Sequence, residues 1–157
     1  MKGNSKVINT LNKALHEELD ALSEYFIHAE MCENWKYKKL AGENKKLSIV
    51  EMKHAEKLIE RLLFLEGVPN LSQPTQLKIG KTVKEQLEND LAVELGAIKL
   101  YNEAIALARV NEDNGSAELF AALLKDEEEH ADWLEGQLGL IKELGYQTYL
   151  SRQLTAE

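Results

Sequence analysis

Glu51-Met52-Lys53-His54 and Glu127-Glu128-Glu129-His130 are two Glu-x-x-His segments that lie 76 residues apart in the chain. On a helix, residues three positions apart share a face, so each segment places a carboxylate beside an imidazole. One such pair could arise by chance in a chain that has 22 glutamates and four histidines. Two pairs at a fixed spacing indicate long helices that carry metal ligands.

The surroundings of the two segments repeat with the same spacing. A shift of 76 residues also places Glu18 on Glu94 and Tyr25 on Tyr101. Glu18 and Glu94 lie among apolar residues at helical spacing, so both carboxylates should face the core, where an acid needs a partner. The chain is therefore predicted to contain two similar helix pairs, each supplying half of a ligand set.

Apolar residues recur at helical spacing along most of the chain, and the alternation typical of strands is absent. We predict four long helices, which run from Ser5 to about Asn34, from about Lys38 to Glu66, from about Val83 to Val110, and from a cap at Ser116 to about Leu144. Gly67 should end the second helix in a left-handed conformation. Residues 68–81 should form a long connection, and residues 146–154 a short fifth helix.

Length and composition favour one all-α domain over residues 1–157, a four-helix bundle at about 5–144 with one crossover. The net charge of −8 argues against nucleic acid as a partner. No apolar run approaches the roughly 18 residues of a membrane span. The lone Cys32 cannot form an internal disulfide, so we expect a cytoplasmic protein.

The predicted ligand set consists of residues from all four long helices. It comprises Glu18, Glu51, His54, Glu94, Glu127 and His130. A bundle with one inward glutamate on two helices and Glu-x-x-His on the other two is known to hold di-iron or di-manganese sites. Four carboxylates would balance two divalent metal ions, and this donor set favours Fe(II) or Mn(II) over structural zinc.

Two tyrosines accompany the inward glutamates. Tyr25 and Tyr101 lie about two helical turns beyond Glu18 and Glu94, close enough for hydrogen bonds to metal-bound carboxylates. Tyr25 is therefore included among the candidate catalytic residues. The alternative is that both tyrosines are simply aromatic core residues.

Several longer segments are similar to bacterioferritins. They are Met1-Lys2-Gly3, residues 51–56 (EMKHAE), residues 59–71 (IERLLFLEGVPNL) and residues 126–130 (DEEEH). The resemblance covers essentially the whole chain and implies a ferritin-like bundle with the same six ligands, Glu51 and Glu127 bridging the metals. It also implies a ferroxidase that oxidises Fe(II) to Fe(III) with O2 or H2O2 at a di-iron site and stores ferric mineral in a hollow shell.

The resemblance further implies a haem b shared between two subunits, with Met52 of each subunit as an axial ligand. Helical geometry places Met52 away from Glu51 and His54, on the outside of the bundle. There it would join Ile49 and Leu63 at an interface between two copies. The alternative is that Met52 only fills that interface. The implied assembly is a homo-oligomeric shell of 24 subunits built from dimers, with a ferredoxin as electron donor for iron release.

Other hypotheses remain at this stage. In some bacterioferritins an accessory iron site uses a histidine and an acidic residue at positions that hold Lys46 and Val50 here, which puts that site in doubt. Alternative functions are a rubrerythrin-like di-iron peroxidase, a manganese catalase, a DNA-protecting mini-ferritin with metals between subunits, and a helical interaction module without metal. His28 is expected to be solvated or structural.

Overall fold

A computed structural model describes residues 1–155 and contains five α-helices within them. They are α1 (Ser5–Asn34), α2 (Lys38–Phe64), α3 (Val83–Val110), α4 (Asn114–Leu144) and α5 (Tyr146–Ser151). No strand occurs in this part of the chain. The prediction of an all-α bundle with a short fifth helix is confirmed. Within the same residues, no helix is long and apolar enough to cross a membrane.

The four long helices form two antiparallel pairs. α1 packs along α2 and α3 along α4, because only a few residues connect the helices of each pair. The segment of residues 65–82, hereafter the crossover, joins the pairs and runs beside α1. Its backbone is hydrogen-bonded to side chains from Asn12 to His28. The crossover thereby brings α3 against α1.

Two apolar clusters fill the bundle, one towards each end. The first contains Leu11, Leu62 and Phe120, and the second contains Leu87 and Leu134. Between them the helices contribute a layer of buried glutamate and histidine. Because apolar packing on both sides excludes water from this layer, its polar side chains must satisfy one another or bind a ligand.

The end of α2 differs from its sequence prediction. The helix ends at Phe64 rather than Glu66, and Glu66 adopts the left-handed conformation (φ 60°) that was predicted for Gly67. The amide of Gly67 donates to the carbonyl oxygen of Leu62 and completes the cap. Gly67 is required for packing instead, because a Cβ there would lie 2.9 Å from Cγ2 of Ile8.

Two further boundaries were predicted wrongly. α4 begins at Asn114, and its cap is Asp113, whose carboxylate accepts from the amide of Ser116 at 2.9 Å. A carboxylate held by Arg61 at 2.8 Å is available one turn before the predicted serine cap. α5 ends at Ser151 rather than at residue 154, because the next amides bond three residues back in a tighter turn.

Candidate metal centre

All six predicted ligands converge in the polar layer between the apolar clusters, and each is more than nine-tenths buried. Their donor atoms form two groups, and within each group all atoms lie within 4.8 Å of one another. The groups are Glu18, Glu51, His54 and Glu127, and Glu51, Glu94, Glu127 and His130. Glu51 and Glu127 belong to both groups, so either carboxylate could bridge two metal ions.

Both histidines present the same ring nitrogen to this centre. Nδ1 of His54 lies 2.9 Å from Oε1 of Glu127, and Nδ1 of His130 lies 3.0 Å from Oε1 of Glu51. The two rings are stacked, with their centroids 6.3 Å apart. Each metal position therefore has one imidazole nitrogen directed into it.

Several of these buried polar atoms have no hydrogen-bond partner. They are both carboxylate oxygens of Glu51, Oε2 of Glu94, Oε1 of Glu127 and Nδ1 of His130. Buried polar atoms are nearly always satisfied in folded proteins, so a group of unsatisfied acceptors needs an explanation. Four carboxylates and two imidazoles around them fit two divalent cations in charge and in donor type.

Burial and crowding change the acidity of the carboxyl groups. Burial raises the pKa of Glu51 well above its usual value, and the charge of Glu18 raises it further. Burial and a hydrogen bond with Glu94 raise the pKa of Glu127 in the same way. Burial alone would raise the pKa of Glu94, but hydrogen bonds with Glu127 and His130 hold it below its usual value. Without metal, Glu51 and Glu127 therefore keep their protons at neutral pH.

The pKa values of the two imidazoles are raised, whereas burial alone lowers the pKa of a histidine. Burial would lower the pKa of His54, but its hydrogen bonds with the surrounding carboxylates outweigh that effect and raise the pKa. The pKa of His130 is raised for the same reason, with Glu94 as the main partner. Both shifts favour the imidazolium forms, which offset part of the negative charge that the glutamates bring to the centre.

The tyrosines link the two helix pairs crosswise. The Tyr25 hydroxyl donates to Oε1 of Glu94 at 2.5 Å, and the Tyr101 hydroxyl donates to Oε1 of Glu18. Each tyrosine thus contacts the glutamate of the other helix pair, rather than the one two turns away on its own helix. Burial raises the pKa of both phenols well above the usual value, so they remain neutral donors.

Comparison with known proteins now identifies the family. Residues 8–144 match the family model described as a ferritin-like domain. Bacterioferritins of Rhodobacter capsulatus and Brucella melitensis are 46% and 45% identical to the chain over 149 residues, which cover 95% of this chain and 92% of each relative. The chain belongs to the bacterioferritin family. A bacterioferritin of Mycolicibacterium paratuberculosis is 41% identical, with coverage of 95% and 94%. The resemblance seen in the short segments is confirmed.

In this bacterioferritin, Met52 lies on the outer surface of α2, as helical geometry predicted. Its side chain is 42% exposed, and Phe26, Ile49 and Leu63 are also exposed apolar residues of α1 and α2. A thioether with apolar neighbours outside the bundle fits a haem ligand at an interface. Lys46 is exposed and pairs with Glu43, and Val50 is only partly buried.

The sequence analysis missed a second buried polar cluster in this bacterioferritin, formed by Glu24, His28 and Asp90 and hereafter the outer cluster. Nε2 of His28 accepts a hydrogen bond from the amide of Gly80 at 3.0 Å. Nδ1 must then carry the ring proton, which it donates to Asp90 at 3.1 Å. His28 is wholly buried, so the structural interpretation holds and the solvated one is wrong.

Glu24 completes the outer cluster. The amide of Lys78 donates to its Oε1 at 3.0 Å. Burial and a hydrogen bond with Asp90 raise the pKa of Glu24 to about 8, so its remaining oxygen can carry a proton and donate it to Asp90. A metal on Nδ1 of His28 would need the ring proton on Nε2, where the Gly80 amide already points. The outer cluster is therefore a hydrogen-bonded anchor for the crossover.

Helical spacing could have indicated part of this outer cluster. Glu24 and His28 are four residues apart on α1, and Asp90 lies one turn before Glu94 on α3. The contribution of the crossover could not have been found in this way, because Lys78 and Gly80 act through their backbone amides, which any residue except proline provides.

Proposed function

We propose that this protein is an iron-storage ferroxidase that binds two Fe(II) ions per chain, oxidises them to Fe(III) with O2 or H2O2, and stores the product as ferric mineral inside a hollow shell. The observation that carries this proposal is the convergence of four carboxylates and two imidazoles around unsatisfied buried acceptors. The bacterioferritin relatives support the choice of iron.

Binding begins with an exchange of protons for metal ions. Glu51 and Glu127 release the protons that burial favours on them, and the imidazoles of His54 and His130 release the protons that the carboxylates favour on Nδ1. The four ionised glutamates then balance two Fe(II) ions, so the net charge of the centre stays near zero. The protein can therefore fold around the centre both with and without iron.

The remaining residues hold the ligands in place. The phenols of Tyr25 and Tyr101 donate to Glu94 and Glu18 and restrict the rotation of those carboxylates. Two bound Fe(II) ions supply one electron each, enough to reduce H2O2 to water or O2 to H2O2. The apolar clusters on both sides limit the access of water to the centre.

Met52 is the basis of the proposal that this protein binds haem. We place haem b between the Met52 thioethers of two subunits, at the exposed apolar surface of α1 and α2. Twelve such dimers would form the shell of 24 subunits, and a ferredoxin would pass electrons through the haem to release iron. Apolar side chains exposed on this surface favour its burial against a second copy.

Anaerobic titration of the metal-free protein with Fe(II), followed by air, tests the ferroxidase. We expect saturation near two Fe(II) per chain and rapid growth of ferric absorption. Glu127→Gln should lose both, whereas Glu128→Gln, at the exposed neighbouring residue, should retain both. Saturation of the wild-type protein far below two Fe(II) per chain would refute the proposal.

A separate experiment tests the haem site. Haem added to the purified assembly should give the absorption spectrum of bis-methionine haem, and Met52→Leu should remove it. Met31→Leu is the matched control, because Met31 lies on α1 in contact with Gln86. A full haem spectrum in the Met52→Leu variant would show that Met52 is not the ligand, without affecting the ferroxidase proposal.

A further inference from the structure

His54 has polar contacts at both of its ring nitrogens. Nδ1 faces the centre, 2.9 Å from Glu127 and 3.3 Å from Glu18. Nε2 points outwards and lies 2.8 Å from Oδ2 of Asp126, the residue directly before Glu127 on α4. When Nδ1 binds a metal, the ring proton is on Nε2, and the Asp126 carboxylate is placed to accept it.

His130 lacks a comparable contact. Its Nδ1 faces Glu51 and Glu94 in the centre. Within residues 1–155, no acceptor lies at hydrogen-bonding distance from its outer nitrogen, Nε2. The two histidines of the centre are therefore held differently, although each follows a glutamate by three residues in the sequence.

The internal repeat gives the reason for this difference. The shift of 76 residues that relates the two halves places Asp126 on Val50. The crosswise bonds from Tyr25 to Glu94 and from Tyr101 to Glu18 obey the same repeat. A partner for His130 would thus be expected at position 50, where the valine side chain offers no acceptor.

We propose that Asp126 is a positioning residue that orients His54, and that the two metal positions are therefore unequal, with tighter binding at His54 than at His130. A carboxylate that accepts the outer N–H of a ligating imidazole fixes the ring and makes its metal-binding nitrogen more basic. The position at His130 lacks this support, so its metal ion exchanges first. The inference rests on the proposed two-metal centre.

Stepwise binding of Co(II) to the metal-free assembly tests the inference without depending on iron oxidation. We measure it anaerobically, by visible absorption in competition with a chelator. The wild-type protein should bind two Co(II) per chain in two steps of different affinity. Asp126→Val should weaken the tighter step by about 10- to 100-fold and so bring the two steps together. Val50→Asp should strengthen the weaker step by about 10-fold.

Two controls separate positioning from other effects. Glu128→Gln removes the same charge two residues further along α4 and should leave both binding steps unchanged. Asp126→Asn retains an acceptor oxygen for Nε2 and should restore part of the affinity that the valine variant loses. A purely structural role of Asp126 would instead weaken both steps together, and unfolding of each metal-free variant in urea monitors the fold.

The outcomes separate the inference from the proposed function. Binding of fewer than two Co(II) ions by the wild-type protein would count against the metal centre itself. Two ions with unchanged affinities in both Asp126→Val and Val50→Asp would overturn only the role of Asp126. The same holds if Glu128→Gln weakens binding as much as Asp126→Val does. If Asp126→Val does not assemble, Asp126→Asn and Val50→Asp decide between these outcomes.

Discussion

The bundle contains two buried polar clusters that are alike in composition and different in whether backbone amides donate to them. The metal centre and the outer cluster both combine glutamates with histidine at almost no solvent exposure. In the outer cluster, backbone amides of Lys78 and Gly80 donate to Glu24 and His28, although Oε2 of Glu24 and Oδ1 of Asp90 have no hydrogen-bond partner. In the metal centre, side chains meet only one another, and several acceptors remain free.

This comparison shows that residue types alone do not identify a metal site. In both clusters the potential ligand atoms of each group lie within 4.8 Å of one another. The difference lies in the hydrogen bonds that the rings receive, because a backbone amide donates to Nε2 of His28 and so fixes its tautomer, whereas Nδ1 of His54 and of His130 faces glutamates. Backbone donors to the side chains therefore separate a structural anchor from a candidate ligand site.

The largest effect that we expect is a difference in the rate of iron oxidation between substitutions in the metal centre and substitutions in the outer cluster. Glu51→Ala removes a carboxylate shared by both metal positions and should lower the initial rate of Fe(II) oxidation at least about 1,000-fold. Glu24→Gln in the outer cluster should change the rate less than about twofold. Stopped-flow absorption measures both rates. Equal losses of rate in the two variants would contradict the assignment of different roles to the two clusters.

The outer cluster should instead control stability in a pH-dependent way. Because the pKa of Glu24 is raised from 4.5 to about 8, the unfolded chain loses this proton at lower pH than the folded chain does. Stability of the metal-free wild-type protein therefore falls as pH rises from about 5 to about 8. The amide introduced by Glu24→Gln would donate to Asp90 and has no proton to lose. The stability of this variant relative to wild type should therefore increase by about 4 kcal/mol between pH 5 and pH 9.

Urea unfolding at the two pH values measures this gain as a difference between two proteins that share the same metal centre. Titration of Glu51 and Glu127 affects both proteins equally and cancels in the difference. A gain that is the same at pH 5 and pH 9 would show that Glu24 does not hold a proton in the folded protein.

Metal binding should release protons from the centre and none from the outer cluster. The pKa values of Glu51, Glu127, His54 and His130 are all raised, so each of these groups favours a proton that a metal displaces. Loading of two Co(II) ions should therefore release about three to four protons per chain, and affinity should fall as the pH is lowered. Calorimetry in buffers of different ionisation enthalpy measures this number. Release of fewer than about two protons would contradict the assigned protonation.

The smallest effect concerns Tyr25. Tyr25→Phe removes the hydrogen bond to Glu94 and leaves the packing intact, so Fe(II) oxidation should slow by about 3- to 10-fold. Tyr149→Phe is the matched control, because this buried tyrosine bonds Gln137 outside the centre. Rates that are unchanged in the Tyr25 variant would leave it as an aromatic core residue.

The sequence predicted the convergence of the six candidate ligands because local helical spacing and one internal repeat specify it. Glu51 and His54 share a face on any regular helix, and the repeat reveals Glu18 and Glu94. The helix boundaries were less predictable, because Asp113 and Ser116 are both good caps and only Arg61, from a distant helix, favours the former.

Long-range contacts account for what the sequence did not reveal. The partner of Tyr25 lies on another helix, 69 residues away, and that of His54 is Asp126, 72 residues away. The outer cluster depends on where the crossover places two backbone amides. Neither periodicity nor spacing along one helix contains this information, because it arises only when the helix pairs dock.

The crosswise bonds between the two halves have an evolutionary consequence. Tyr25 contacts Glu94 as Tyr101 contacts Glu18, so the halves are related by an approximate twofold axis through the centre. A single helix hairpin that paired with a copy of itself would already have the complete set of six ligands. Duplication and fusion of such a hairpin would then free each half to diverge, and Val50 opposite Asp126 marks a position where symmetry has been lost.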